Sequence, residues 1–153
     1  KEITARSIDP NRLIFGKRLS KPEYLARYRV ADLFLDTHPY NAGTTASDAL
    51  RMGLPVLTYL GSSAVSREAA SVINAVNLPE LITTNQEQYE SLAIELATNP
   101  EKLKIIKDKL VSNLSTAPLY NTPLFTKHLE SAYSMMYDRY QQGLDPDHIY
   151  VKH

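Results

Sequence analysis

The sequence predicts an α/β fold: half of a doubly wound domain, with a small parallel sheet followed by C-terminal helices. Three observations support this prediction. Short apolar runs alternate with helical patterns through the first half of the chain, an order typical of βαβ units. The runs are almost continuously apolar, as in strands whose two faces are covered by helices. From residue 85 onward the pattern is helical throughout.

Four segments in the first half have the composition of buried strands. They are residues 12–15 (RLIF), 32–36 (DLFLD), 55–59 (PVLTY) and the shorter 81–83 (LIT). Each is short, rich in aliphatic side chains and bordered by turn-forming or polar residues. We therefore expect three or four parallel strands, which is a small sheet for this fold class.

Helical patterns connect and follow these segments. Ser20, as N-cap, and Glu23 begin a predicted helix over residues 21–30. Gly53 stands where a glycine commonly ends a helix, after a predicted helix over residues 44–52. The other predicted helices cover residues 64–76, 86–97, 101–113 and 124–142.

Composition excludes several classes of partner and site. Seventeen basic residues balance seventeen acidic ones in the 153-residue chain, so no net field attracts nucleic acid or an anionic membrane. The chain has no cysteine, which excludes disulfides, thiolate catalysis and cysteine-based zinc sites and is compatible with a reducing compartment. No apolar run approaches the roughly 20 residues that cross a bilayer. We expect a cytoplasmic domain.

The segment 35–48 (LDTHPYNAGTTASD) has the pattern of a phosphate site. A strand ends, a loop containing Gly43 follows, and Thr44 and Thr45 begin a helix, whose free N–H groups and dipole suit a phosphate. Ligands bind at the carboxyl ends of strands in open α/β sheets. Asp48, one turn into the helix, could accept hydrogen bonds from ribose hydroxyls.

Two of these residues also have a purely structural interpretation. Thr45 and Asp48 fit a capping box, which would need no ligand. The chain has neither a G-x-G-x-x-G fingerprint after a strand nor a G-x-x-x-x-G-K-[ST] loop, so a dinucleotide oxidoreductase and a nucleotide triphosphatase are not supported. The residues alone leave the phosphate site and the capping box both open.

Several segments carry a resemblance that favours the phosphate site. They include residues 35–50 (LDTHPYNAGTTASDAL), 53–61 (GLPVLTYLG), 66–71 (SREAAS) and 118–122 (PLYNT). Together they are similar to the catalytic C-terminal region of the O-linked N-acetylglucosamine transferase family, which includes the plant Spindly-type O-fucosyltransferases. The similarity continues in order to the closing pattern at residues 129–148 and covers nearly the whole chain.

The resemblance implies a GT-B fold, in which two Rossmann-like halves face each other and the C-terminal half holds most of the sugar nucleotide. Residues 1–84 would form a partial Rossmann-like nucleotide-binding unit, and residues 85–153 the helical part of the same domain. Thr44 and Thr45 match the family's paired threonines at the donor diphosphate. Asp48 matches the acidic residue that holds the ribose. Gly43 stands where vertebrate members have a nucleotide-contacting histidine.

The resemblance also implies a cradle for the base in residues 19–27 (LSKPEYLAR). Leu19 would offer backbone groups to the uracil edge, and Lys21 would lie near the ribose. Arg27 would lie near the base. Tyr24 replaces a family histidine that stacks on uracil, and tyrosine keeps a flat face for stacking. Without the resemblance, Lys21 and Arg27 would be interpreted as solvated charges and Tyr24 as a cover for the core.

Other polar residues near the motif are not assigned a catalytic role. Arg67 could point toward the phosphates, form a salt bridge with Glu68 or serve the end of a helix. His38 lies in the strand-end loop, where the family has no catalytic histidine, and is not assigned as a base. We expect Asp36 to orient the loop rather than to transfer a proton. No catalytic residue is assigned within this chain, and neither a metal nor another cofactor is expected.

In the family, an inverting transfer moves a sugar from a nucleotide diphosphate to a Ser or Thr hydroxyl of a protein. The family's principal cation is a lysine upstream of Lys1, and its acceptor-side histidine and tetratricopeptide-type (TPR) helical repeats also precede this region. We therefore expect the chain to be a piece of a longer enzyme that meets its protein acceptor through the preceding part. Alone, it should bind nucleotide weakly, lack turnover and expose surfaces prone to self-association.

Three alternatives remain open. The motif favours UDP-N-acetylglucosamine as the donor, whereas family members that use GDP-fucose share the paired threonines. The departures at Gly43 and Tyr24 favour a non-catalytic nucleotide-binding or interaction module. A fragment of a Rossmann-like oxidoreductase is the weakest alternative, since the glycine fingerprint is absent.

Overall fold

A computed structural model describes residues 2–152 of the chain as an α/β structure. Three short parallel strands lie in the order β1–β2–β3: Phe34–Leu35, Val56–Tyr59 and Ile82–Thr83. In the register, Phe34 is opposite Val56, and Thr58 is opposite Ile82. Because each strand is followed by a helix before its parallel neighbour, the sheet consists of consecutive βαβ units.

Seven α-helices occur in the described residues. They are α1 (Glu2–Ala5), α2 (Lys21–Arg27), α3 (Thr44–Arg51), α4 (Glu68–Ala75), α5 (Gln86–Thr98), α6 (Pro100–Leu114) and α7 (Thr122–Gln141). Short 3₁₀ turns precede or follow several of them: Pro10–Arg12, Tyr28–Val30, Ala64–Ser66, Pro79–Leu81 and Pro118–Tyr120. No helix within residues 2–152 is both long and apolar enough to cross a bilayer.

Local chemistry sets the helix ends much as predicted. The Glu23 carboxylate accepts a hydrogen bond from the backbone N–H of Ser20 (3.1 Å), the backward bond of a capping box, and another from the Ser20 hydroxyl (2.6 Å). These bonds lower the pKa of Glu23, the hydroxyl having the largest effect. Gly53 follows α3 with φ +82°, and Gly143 follows α7 with φ +66°. Both have the left-handed conformation that favours glycine after a helix.

The core lies around β2, where α3, α4 and α5 all pack. Val56 and Leu57 are fully buried, so this central strand is apolar on both faces. The buried cluster is completed by side chains from the helices, chiefly Ala46, Leu50, Ile73, Leu96, Ile106 and Leu110.

The strand predicted over residues 12–15 is wrong. Arg12 ends a 3₁₀ turn, and Ile14 and Phe15 are 86% and 83% exposed. A strand is stable only when a neighbour accepts its backbone hydrogen bonds, and residues 14–19 make no backbone–backbone hydrogen bond within the described chain. Apolar composition alone could not supply that partner.

The helix predicted over residues 64–76 begins later than expected. Ser66 Oγ donates to the carbonyl of Ser63 (2.9 Å) and accepts from the backbone N–H of Ser63 (3.1 Å). Such local side-chain bonds compete with the α-helical pattern. A 3₁₀ turn therefore spans Ala64–Ser66, and α4 begins at Glu68.

The C-terminal helices are joined to the sheet region by specific polar contacts. Tyr120 Oη donates to the carbonyl of Ser47 on α3 (2.7 Å), and Arg51 lies over its ring at 5.8 Å. Burial raises the pKa of Tyr120. Asn113 Nδ2 on α6 donates to the carbonyl of Val76 (2.9 Å). Tyr120 thus connects the chain after α6 to the helix that carries the predicted phosphate site.

We expect the substitution Tyr120→Phe to lower the free energy of unfolding by about 1 kcal/mol, since it removes this hydrogen bond and keeps the ring. Urea denaturation measures the change. Tyr133→Phe is the matched control, because Tyr133 is 58% exposed and should change stability by less than about 0.5 kcal/mol. Equal effects of the two substitutions would contradict the assigned role of Tyr120.

Candidate functional site

The candidate site begins with a buried carboxylate at the carboxyl end of β1. Asp36 is only 5% exposed. Its Oδ1 accepts from the backbone N–H groups of Thr37 (2.9 Å) and Ala42 (2.8 Å), and its Oδ2 accepts from Thr58 Oγ1 (2.6 Å). Tyr89 Oη donates to its carbonyl (2.8 Å). Asp36 therefore orients the loop that follows, as expected from the sequence.

The loop from Thr37 to Ala42 is held by further internal hydrogen bonds. Asn41 is 1% exposed; its Nδ2 donates to the carbonyl of Thr37 (2.8 Å), and its backbone N–H donates to the carbonyl of Val65 (2.9 Å). Thr37 Oγ1 donates to the carbonyl of Tyr40 (2.6 Å). These bonds give the start of α3 a defined position relative to the strand end.

The start of α3 has no side-chain cap. Gly43 is its N-cap and supplies no capping side chain, while Thr44 and Thr45 are exposed. Residues 43–45 line a shallow cavity with the loop and the end of β1. Because the first N–H groups of a helix have no intrahelical partner, this end can bind an anion.

The capping-box interpretation of Thr45 and Asp48 is wrong. The helix begins one residue before Thr45, and Asp48 Oδ2 instead accepts from Lys21 Nζ at 2.8 Å. Asp48 is 19% exposed and Lys21 62% exposed in this pair. The interaction joins α2 to α3 and places the predicted ribose residues next to each other.

A second cleft lies on the α2 side of this ion pair. Leu19, Lys21, Tyr24 and Arg27 line it together, with residues 16–18. Lys21 Nζ lies 5.0 Å and Arg27 Cζ 5.8 Å from the centre of the Tyr24 ring. Arg27 Nη1 also donates to the carbonyl of Lys17 (3.2 Å). The two cations are thus engaged with the aromatic ring rather than solvated alone.

Tyr24 connects the cleft to the core. Its hydroxyl hydrogen-bonds to that of Tyr28, and the rings meet edge to face with centroids 5.2 Å apart. Tyr28 in turn packs against Phe34 of β1. Burial, and then the bond with Tyr24, raise the pKa of Tyr28. Tyr24 therefore contacts Tyr28, which leads to the core, as well as the two cations, and its role beside a base stays a prediction.

The sequence interpretation missed the position of Glu68. A Cβ added to Gly43 would lie 2.6 Å from Glu68 Cδ, so the carboxylate lies directly against the N-cap of α3. Arg67 donates to the carbonyl of Gly61 (3.0 Å). Within residues 2–152 Arg67 forms no salt bridge with Glu68, so that alternative is wrong. Periodicity could not place Glu68, because the contact depends on how α4 packs beside α3.

His38 lies outside the cleft of cations and near another opening of the loop. Its ring stacks on Tyr59 with centroids 4.1 Å apart, and both line a cavity with Tyr89. No group of three or more His, Asp or Glu side chains suited to a metal ion occurs in the described part of the chain.

Comparison with known proteins shows the family to which the chain belongs. The sequence model of glycosyl transferase family 41 matches residues 1–129. The chain belongs to this family. Its similarity to the UDP-N-acetylglucosamine–peptide N-acetylglucosaminyltransferase of Caenorhabditis elegans is 32% identity over 149 residues, which are 97% of this chain and 13% of that protein.

A solved structure agrees with the fold. An O-GlcNAc transferase mutant from Thermobaculum terrenum has a TM-score of 0.83 and 31% identity with this chain. The match covers 92% of this chain and 27% of that one. These findings confirm the resemblance and the fold class, a Rossmann-like C-terminal half of a GT-B glycosyltransferase with a small parallel sheet and following helices. The roles of the individual site residues stay predictions.

The buried network of Asp36 predicts a large effect of its removal. We expect Asp36→Ala to lower the free energy of unfolding by about 3 kcal/mol, because it leaves two backbone N–H groups and a buried hydroxyl without their acceptor. The control is Asp32→Ala, which removes an exposed ion pair with Lys107 and should cost less than about 1 kcal/mol. Urea denaturation measures the free energy of unfolding of both variants. If Asp36→Ala loses no more stability than Asp32→Ala, the hydrogen bonds of Asp36 do not have the stabilising role assigned to them.

Proposed function

We propose that this chain forms the donor-binding part of an inverting glycosyltransferase that uses UDP-N-acetylglucosamine and transfers the sugar to Ser or Thr hydroxyls of proteins. The observation that carries the proposal is the Lys21–Asp48 ion pair (2.8 Å). It connects an uncapped helix N-terminus to a cleft with an aromatic face and two cations. A nucleoside diphosphate needs these two environments side by side, one for the phosphates and one for the base.

Each part of the donor has a matching group in this proposal. The diphosphate would accept hydrogen bonds from the first N–H groups of α3 and from the hydroxyls of Thr44 and Thr45. Ribose hydroxyls would donate to Asp48, whose Oδ2 already accepts from Lys21. The base would lie in the cleft beside Leu19, with Tyr24 as a flat neighbour and Arg27 at its edge.

The chemical contribution of these groups would be to stabilise the leaving group. Negative charge grows on the diphosphate as the glycosidic bond breaks, and fixed N–H dipoles and hydroxyls favour that charge without reorganising. The residue that accepts the proton of the acceptor hydroxyl is not assigned within this chain. The protein acceptor, the preceding helical repeats and the cytoplasmic location stay predictions from the sequence.

The name of the C. elegans relative supports UDP-N-acetylglucosamine as the donor. GDP-fucose is the alternative donor, since a larger base could use the same phosphate site. The second candidate function is a non-catalytic nucleotide-binding or interaction module. It is favoured by the absence of a side chain at Gly43 and by the carboxylate of Glu68 against it.

Calorimetric titration of the protein, in the full length that its gene encodes, tests this proposal. We expect UDP to bind more tightly than GDP. The double substitution Thr44→Ala with Thr45→Ala should weaken UDP binding at least about tenfold, because hydrogen bonds to a charged ligand are lost, and should leave uridine binding unchanged. Asp48→Ala should weaken the binding of both UDP and uridine.

Thr98→Ala is the matched control, since Thr98 is an exposed threonine at the end of α5. A preference for GDP would move the donor to GDP-fucose and retain the site. If neither nucleotide binds at millimolar concentration, the donor-binding proposal is refuted and the interaction module becomes the better function.

A further inference from the structure

The carboxylate of Glu68 lies against the very end of α3 that the proposed function assigns to the diphosphate. A methyl group at Gly43 would lie 2.6 Å from Glu68 Cδ and 3.2 Å from Oε2. Both distances are shorter than ordinary van der Waals contact. The carboxylate therefore fills the space that any other residue at position 43 would need.

Little besides electrostatics fixes the carboxylate in this place. Glu68 is exposed and occupies the first turn of α4. Its side chain takes part in no hydrogen bond or ion pair with the residues from 2 to 152. The positive end of α3, where no side chain caps the free N–H groups, attracts a negative charge. In the free protein the Glu68 carboxylate thus lies beside the N-cap residue of α3 without being bonded there.

From this placement we propose that Glu68 is a specificity-determining residue that competes with the diphosphate and disfavours the product more than the donor. The inference rests on the proposed function. A nucleoside diphosphate ends in a phosphate whose second ionisation has a pKa of about 6. It therefore carries roughly one negative charge more at neutral pH than a sugar nucleotide, whose terminal phosphate is esterified.

The extra charge makes the competition selective. Two like charges about 4 Å apart repel by about 1 kcal/mol even in bulk water, which is about a fivefold change in affinity. The product would meet this repulsion for one more charge than the donor does. Glu68 would thereby promote release of the nucleoside diphosphate after sugar transfer, while donor binding is weakened less.

The test compares UDP and UDP-N-acetylglucosamine binding to the full-length protein and to its Glu68→Gln variant by calorimetry. Glutamine keeps the size of the side chain and removes the charge. We expect UDP to bind about tenfold more tightly to the variant and the sugar nucleotide only about twofold more tightly, a difference of about fivefold for the one extra charge. Uridine, which has no phosphate, should bind equally to both proteins.

Glu101→Gln is the matched control, because Glu101 is also an exposed glutamate in the first turn of a helix, α6. It should change neither affinity. Unchanged or weaker UDP binding in Glu68→Gln, or an equal gain for both ligands, would overturn the inference. If UDP binding depends on Thr44 and Thr45 but not on Glu68, only this inference fails. If UDP does not bind to the protein or its variants, the proposed function fails and this inference fails with it.

Discussion

The buried carboxylate of Asp36 is the constraint on which the candidate site depends. It comes at the end of β1 and accepts hydrogen bonds from both ends of the following loop and from Thr58 on the adjacent strand β2. A buried charge is tolerated only when its lone pairs are well satisfied. The loop therefore has to close around Asp36, and this closure delivers Gly43 and the start of α3 to the edge of the sheet. The hydrogen bonds of this one carboxylate therefore determine where the proposed phosphate site lies.

Features set by neighbouring residues were predictable from the sequence. The capping box of Ser20 and Glu23 and the left-handed glycine after α3 involve groups within one helical turn, so local chemistry determines them. The strand predicted over residues 12–15 was wrong because strand formation depends on a hydrogen-bonding neighbour that composition does not reveal. The central strand β2 was predicted well, since a continuous apolar run is distinctive for a strand between two others.

The candidate site was predictable in its members but less so in its arrangement. The resemblance named Lys21 and Asp48 separately, and the pattern near Asp48 also fitted a capping box. Their ion pair spans 27 positions of sequence and depends on where the tertiary fold places the start of α2 relative to α3. Glu68 is a clearer example of an arrangement that the sequence does not reveal. An acidic residue in the first turn of a helix, as in α4, is already explained by the helix dipole. Only the packing of α4 beside α3 brings its carboxylate to Gly43.

The ion pair between Lys21 and Asp48 has a consequence for the entropy of ligand binding. It exists in the free protein and uses only Oδ2 of Asp48, so Oδ1 has no hydrogen-bond partner in residues 2–152. A hydroxyl group could therefore be accepted without breaking the pair. Since the pair already joins α2 to α3, the cleft beside α2 and the start of α3 need not be brought together when a ligand arrives, and the conformational entropy of that ordering is lost during folding instead. In this respect the cleft is preorganised, whereas an anion at the neighbouring helix end would meet the Glu68 carboxylate beside Gly43.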